Sequence, residues 1–381
     1  MATVNVDRAS SNTRVEVLGN IGPNWFASVM GTGIVATAGA TLPVHVVGLR
    51  GFAQVVWLVA AALLVALIVL VGGHWTLHPT VARSHAHNPQ MAHFYGAAPM
   101  ALMTVGGGAL LVGRDLVGES VAVGLCSVLW VAGTLAGLFT AVSIPFLMFT
   151  LHDVQPDAAF GGWLMPVVPP MVSAATGALL LPHVAAGVGR QTLLYGCYAM
   201  FGLSLLASLN IIAMIWSRLT LYGTSGTARV PTLWIVLGPL GQSITAAGLL
   251  GTAAAQVVDQ GTAESMNAFA IIYGVPVWGF AVLWIALATS LTVRTLRRGM
   301  PFALTWWSLT FPVGTFVTGT AQLAAHTQLP AFRAAAVIAY VGLLFTWVLV
   351  AIRTTRGGLA GHLWRLPPST APVKATKQRV P

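Results

Sequence analysis

An all-α integral membrane fold is what this sequence predicts, and three observations carry the prediction. The chain of 381 residues is 56% hydrophobic and only 7% charged, where soluble domains carry about 25% charged residues. Its mean hydropathy is +0.82. Ten apolar runs each reach the roughly 20 residues that a helix needs to cross a bilayer. A net charge of +10 would suit nucleic acid, but the positive charges sit in loops and the tail, so the expected surroundings are a lipid bilayer and not nucleic acid. Cys126 and Cys197 fall inside apolar runs and read as small core residues, neither a disulfide nor a metal pair.

In chain order, residues 1–20, "MATVNVDRASSNTRVEVLGN", are polar, and no cleavable signal peptide is expected. The membrane domain follows over 21–353. Its spans lie at about 22–42, 51–73, 94–113, 119–143, 163–181, 191–217, 231–255, 266–292, 301–324 and 331–352. Residues 354–381, which include "STAPVKATKQRVP", read as a polar tail. Lysine and arginine set the orientation. With the N-terminus inside, fourteen fall on the inner side, and four (Arg50, Arg114, Arg190 and Arg333) fall outside. Both termini are therefore expected in the cytoplasm.

The odd-numbered spans begin near Ile21, Phe94, Trp163, Pro231 and Pro301, at nearly even spacing. That is the period of a helical hairpin used five times, which suggests a quasi-five-fold ring with one helix of each pair inside. Helix breakers point to the odd helices as the inner, pore-lining set. Pro99, Pro166, Pro239 and Pro312 lie in odd spans, as do "VMGTGIVATAG", "TVGGG", "LGPLGQSITAAGLLG" and "TFPVGTFVTGT". Irregular backbone at membrane depth is tolerated inside protein or along a wet cavity. Small residues also serve close helix packing.

No acidic residue, lysine or arginine stands near the centre of a span. Cation paths and proton relays place carboxylates there. A filter in this chain has to use backbone groups, hydroxyls and Gln242. A break within an odd helix would turn free N–H groups and a positive dipole end toward the cavity. Such a lining admits an anion without trapping it.

"GPNWFASVMGTGI", "GGWLMPVVPPMVSAATG", "PTLWIVLGPLGQ" and "WWSLTFPVGT" together resemble the tellurite-resistance/dicarboxylate transporter family, which includes the slow anion channels. The resemblance covers about 22–352 and is nearest the malic acid and sulfite branch. It implies a ring of five hairpins, a pore in each subunit, a homotrimer in the plasma membrane, and no cofactor. It implies C4-dicarboxylates such as malate or succinate as first substrate, with sulfite or inorganic anions (nitrate, chloride, tellurite) as alternatives. It also implies a phenylalanine gate just before the proline of the ninth helix, here Phe311 and Pro312. A second aromatic at the start of the third span matches Phe94 or Tyr95.

Further candidates come from the residues themselves. Gln242, Ser243 and Thr245 follow the break at Pro239, and Gln242 can donate two hydrogen bonds to an oxyanion. Thr32 lies between Gly31 and Gly33; Thr315 and Thr318 lie three apart, near one helix face. Each of these could instead make interhelical hydrogen bonds. Trp306 and Trp307 read as interface anchors. His74, His78, His85, His87 and His93 fill one loop. No carboxylate or cysteine joins them, so no metal is expected there, and the loop reads as one whose charge rises on acidification. That loop is also the one place for the rival from a different class, an integral-membrane enzyme.

Overall fold

The computed structural model describes residues 18–224, 226–361 and 363. The expectations for Arg8, Arg14 and most of the C-terminal tail lie outside them. The described residues are helical, without strands. Five long helices alternate with five composite ones. The α-helices are α1 (Phe26–Thr41), α2 (Leu49–Leu77), α3 (Pro79–His87), α4 (Ala97–Gly108), α5 (Glu119–Thr150), α6 (Pro169–Leu180), α7 (Val188–Tyr222), α8 (Leu237–Ala254), α9 (Gln260–Leu296), α10 (Phe311–Thr327) and α11 (Pro330–Leu359). α11 carries the helix to Leu359, into what the sequence suggested was polar tail.

Among the described residues, seven stretches are long and apolar enough to cross a membrane: α2, α5, α7, α9, α11, Ala92–Val117 and Val230–Ala254. α1, α6 and α10 are unbroken for only 16, 12 and 17 residues. Their shortness has one cause. Each of the five composite elements opens with a 3-10 segment: Pro23–Trp25, Ala92–Gly96, Gly161–Leu164, Val230–Val236 and Leu304–Leu309. Each segment carries an aromatic residue, and a proline lies in it or within a few residues after it.

Burial separates the two sets. Ala92–Val117 and Val230–Ala254 are 83% and 89% buried, whereas the five long helices are 22–28% buried. The long helices turn Phe139, Phe149, Ile272, Ile338 and Phe345 outward, as lipid-facing surfaces do. Each composite element packs on the long helix that follows it: α1 on α2, α4 on α5, α6 on α7, α8 on α9, α10 on α11. The composite elements also touch one another in order, α1 to α4, α4 to α6, α6 to α8 and α8 to α10, and α10 returns to α1. The 3-10 segments repeat that circuit among themselves.

The proline expectation needs correction. Pro99 and Pro239 are the third residues of α4 and α8, Pro312 is the second of α10, and Pro166 lies in the turn before α6. None breaks an α-helix at mid-course. Pro99, Pro239 and Pro312 sit in first turns, where a missing N–H costs nothing. The irregularity inside a composite element is a π-helical stretch, Ala109–Gly113, which contains no proline. The interior prolines, Pro145 of α5 and Pro276 of α9, lie in long helices that continue past them.

Glycines explain how the composite elements approach so closely. A Cβ on Gly241 would stand 2.4 Å from the backbone of Thr315 and Phe316, and one on Gly319 would stand 2.7 Å from the Gly241 oxygen. α8 and α10 therefore cross backbone to backbone. The Thr315 hydroxyl donates to the Leu237 carbonyl across that crossing at 3.1 Å. Interhelical hydrogen bonds of this kind contribute about 0.6–2 kcal/mol in a membrane. Trp306 and Trp307 are buried, not interfacial. The indole of Trp307 donates to Thr354 of α11 at 3.1 Å.

Candidate functional site

A central cavity lies among the composite elements, and every residue that lines it comes from them. Its walls repeat in layers. Ile34, Thr104, Val172 and Gln242 form one layer, and Phe311 lines the α10 side. Thr37, Gly107, Ala175 and Thr245 follow three residues on, joined by Thr318, seven residues after Phe311. Thr41, Leu111, Leu179, Leu249 and Gln322 come four residues later. Successive members of a layer are 68 to 73 residues apart, as their numbers show, so the hairpin period is written into the wall. The first four composite elements each contribute positions i, i+3 and i+7, one face of a helix, whereas α10 contributes Phe311, Thr318 and Gln322.

The cavity is narrow, about 80 Å³, where one water occupies roughly 10–15 Å³ on the same measure. Its lining contains no charged side chain. The polar groups are threonine hydroxyls and two amides. Thr245 and Thr318 share a hydrogen bond of 2.7 Å across α8 and α10. Each also donates or can donate to its own helix, Thr245 to Gly241 at 3.0 Å and Thr318 to Thr315 at 3.0 Å. Thr104 donates to Met100. Hydroxyls so engaged leave their lone pairs facing the space. The side chain of Gln242 is 94% buried and makes no hydrogen bond among the described residues, so its two N–H donors are free for a guest. Phe311, 3% exposed, is the first residue of α10 and marks the cavity's end toward the 3-10 segments. No lining residue of α10 precedes it. Beyond it, Phe311 belongs to one buried cluster with Trp25, Phe94, Leu164, Trp306 and Trp307.

Of the residues singled out in the sequence, Phe311, Gln242, Thr245 and Thr318 meet at this cavity. The others do not. Thr32 accepts the indole N–H of Trp347 at 3.2 Å, turned toward α11. Ser243 accepts from the Tyr273 hydroxyl of α9 at 2.7 Å and donates to Leu240. Thr315 is spent on the α8 crossing. Phe94 is buried in its 3-10 segment, and the Tyr95 hydroxyl donates to Ala82 of α3 at 3.1 Å. The interhelical alternative holds for Thr32, Ser243 and Thr315, which face α11, α9 and α8 respectively. Missed in the sequence were Thr37, Thr104, Thr176 and Gln322. The face shared at the hairpin period was the signal that could have found Thr37, Thr104 and Gln322; Thr176, one residue past Ala175, lies beside that series.

Outside the cavity, the histidine loop forms α3. His74 and His85 stack with ring centroids 5.5 Å apart, and His78 lies 6.0 Å from His74. His74 Nδ1 bonds the Leu18 carbonyl at 2.6 Å; since a carbonyl only accepts, Nδ1 carries the proton. Burial, then the neighbouring His74, holds His85 below the ordinary imidazole pKa. The five histidines do not converge: His93 packs against Phe160 and Trp163 instead.

Comparison with known proteins agrees with this layout. The chain is 24% identical over 360 residues to an uncharacterized transporter of Methanocaldococcus jannaschii, covering 93% of this chain and 98% of that protein. It is 24% identical over 372 residues to the sulfite efflux pump SSU1 of Trichophyton rubrum, covering 95% and 98%. It is 22% identical over 358 residues to the malic acid transport protein of Schizosaccharomyces pombe, covering 89% and 79%. Residues 20–355 match the voltage-dependent anion channel family. A match over nearly all the described helices, on a chain whose central cavity is uncharged and hydroxyl-lined, places this protein in that family of membrane anion transporters.

Proposed function

We propose that the ten helical elements are five hairpins in a ring, that the central cavity is part of a pore through the chain, and that the pore carries a small, singly charged anion. The observation behind this is the uncharged lining. Without a lysine or arginine to offset its desolvation, a doubly charged ion is far costlier to bring inside than a monoanion. The two N–H donors of Gln242 can replace part of a monoanion's hydration while binding it weakly, as permeation requires. The narrow cavity favours an ion of sulfite size, in its hydrogensulfite form. The monoanion of malate is the second reading, supported by the malic acid relative. In both cases the proton travels on the substrate, because the wall offers no carboxylate to relay it.

Phe311 closes this pore. Its ring lies at the cavity's end, against a buried apolar cluster. The arginine-rich ends of the hairpins face the cytoplasm by the excess of lysine and arginine there, in the plasma membrane and as a homotrimer by family likeness. Flux into proteoliposomes tests the reading. Sulfite and malate uptake, measured from pH 5 to pH 8, should follow the concentration of the monoanion. Phe311→Ala should raise flux at least tenfold for both. Rates that follow the dianion would overturn the substrate reading. Unchanged flux in Phe311→Ala, at normal protein levels, would remove Phe311 as the gate.

A further inference from the structure

A second cavity lies at the arginine-rich end and shares no residue with the central one. It holds about 490 Å³, and Arg218, Arg229, His152, Asp153 and Asp157 lie in its wall. Arg218, near the end of α7, is 94% buried. Its Nε donates to the Asp157 carbonyl at 3.0 Å, and its terminal nitrogens have no hydrogen bond or ion pair among the described residues. Arg229 is held over the Phe160 ring at 5.7 Å and likewise has no carboxylate within ion-pair distance. Two guanidinium groups therefore stand in one pocket with no carboxylate at ion-pair distance among the described residues, although the Asp157 charge acts on Arg218 at longer range. Acceptors stand beside them. His152 Nε2 donates to the Ala86 carbonyl at 3.0 Å, which leaves Nδ1 as a lone-pair acceptor, buried and without a partner. The Asp157 carboxylate accepts no hydrogen bond among the described residues and acts on Arg218 only through its charge, and Asp153 is met only by the amide of Gln155 at 3.1 Å.

The pocket opens into a groove. A neighbouring depression of about 560 Å³ shares Trp163, Arg218 and Tyr222 with it and continues along Ala213, Met214 and Leu221 of α7. Met214 and Leu221 are 49% and 70% exposed, on a long helix whose outer face is apolar. A polar pocket with free arginines thus runs into an apolar trough on a lipid-facing helix.

We infer that this pocket and groove form a binding site for a phospholipid, with its phosphodiester on Arg218 and Arg229 and an acyl chain along Met214 and Leu221. The mixed lining narrows the headgroup. Two arginines call for the phosphate. His152 and the two aspartates call for hydrogen-bond donors on the same headgroup, which glycerol hydroxyls or an ammonium supply and a choline does not. Basic pockets between helices at the bilayer surface hold lipid headgroups in this way. The site ties the second hairpin to the third, since its wall runs from Met148 of α5 to Tyr222 of α7.

Native mass spectrometry of the full chain in detergent tests this, with phosphatidylglycerol, phosphatidylethanolamine and phosphatidylcholine of identical acyl chains, and with glycerol 3-phosphate as the soluble source of the same phosphate. Phosphatidylglycerol and phosphatidylethanolamine should bind at least tenfold more tightly than phosphatidylcholine. Arg218→Gln with Arg229→Gln should abolish that preference. Arg229→Gln alone, which leaves the buried guanidinium in place, should weaken binding at least threefold, and Arg297→Gln should leave it unchanged. Met214→Trp, which fills the groove, should lose lipid only. If glycerol 3-phosphate binds as tightly as lipid and Met214→Trp changes neither, the lipid assignment is overturned in favour of a free phosphate ester. Lipid binding by both Arg229 variants equal to that of the unmodified protein would overturn the site.

Discussion

Gln242→Glu tests the reasoning that an uncharged lining carries anions. The substitution keeps shape and volume and replaces an amide by a carboxyl in a cavity of about 80 Å³. A permeating monoanion has to pass within about 5 Å of that group. At an effective dielectric of about 20 the repulsion is about 3 kcal/mol. Each 1.36 kcal/mol is tenfold in rate, so flux should fall by about two orders of magnitude. Nitrate is the suitable probe, because its charge does not change from pH 5 to pH 8, and stopped-flow anion exchange in proteoliposomes reads it. Gln242→Ala, which removes donors without adding charge, should cost less than tenfold. Gln242→Glu flux within threefold of the unmodified protein at pH 8 would refute the argument: anions would then not pass Gln242.

Two more predictions concern the scaffold. A Cβ on Gly161 would stand 1.7 Å from the Thr232 carbonyl oxygen, backbone against backbone. Gly161→Ala should therefore destabilise by the 1–3 kcal/mol of overpacking or more, seen as a fall in melting temperature in detergent. Gly279→Ala, with nothing within 4 Å of the new Cβ, should not lower it, and equal effects would show that the 3-10 circuit is not tightly packed. The depressed pKa of His85 means that the folded state favours the neutral ring. The stability it contributes is full above the ordinary imidazole pKa of about 6.5 and is lost as pH falls through the lowered value. Melting temperature should thus drop between about pH 7 and pH 5, and His85→Phe should flatten that drop; an unchanged profile would remove His85 as its source.

The sequence by itself determined the membrane character, the anionic preference and the alternation of two helix types. Those follow from quantities spread along the whole chain: the apolar runs, the missing mid-span charges and the hairpin period. It also marked the composite elements, because proline and aromatic residues recur where each begins. It did not say which way a threonine or glycine faces. Thr32, Ser243 and Thr315 look like Thr245 and Thr318 in sequence, yet the first three turn from the cavity to bond α11, α9 and α8, while the last two bond each other at its wall. Ser243 is one residue from the lining Gln242, a rotation of about 100° that the period-3.6 geometry makes decisive. Gly241 and Gly319 serve a backbone crossing, not a break, and only the approach of α8 to α10 shows that. Prolines that read as mid-helix interruptions lie in first turns or, for Pro166, just before one, because the 3-10 segments ahead of them move the helix starts. Composition is fixed residue by residue, but the facing of a short side chain is decided by what packs beside it.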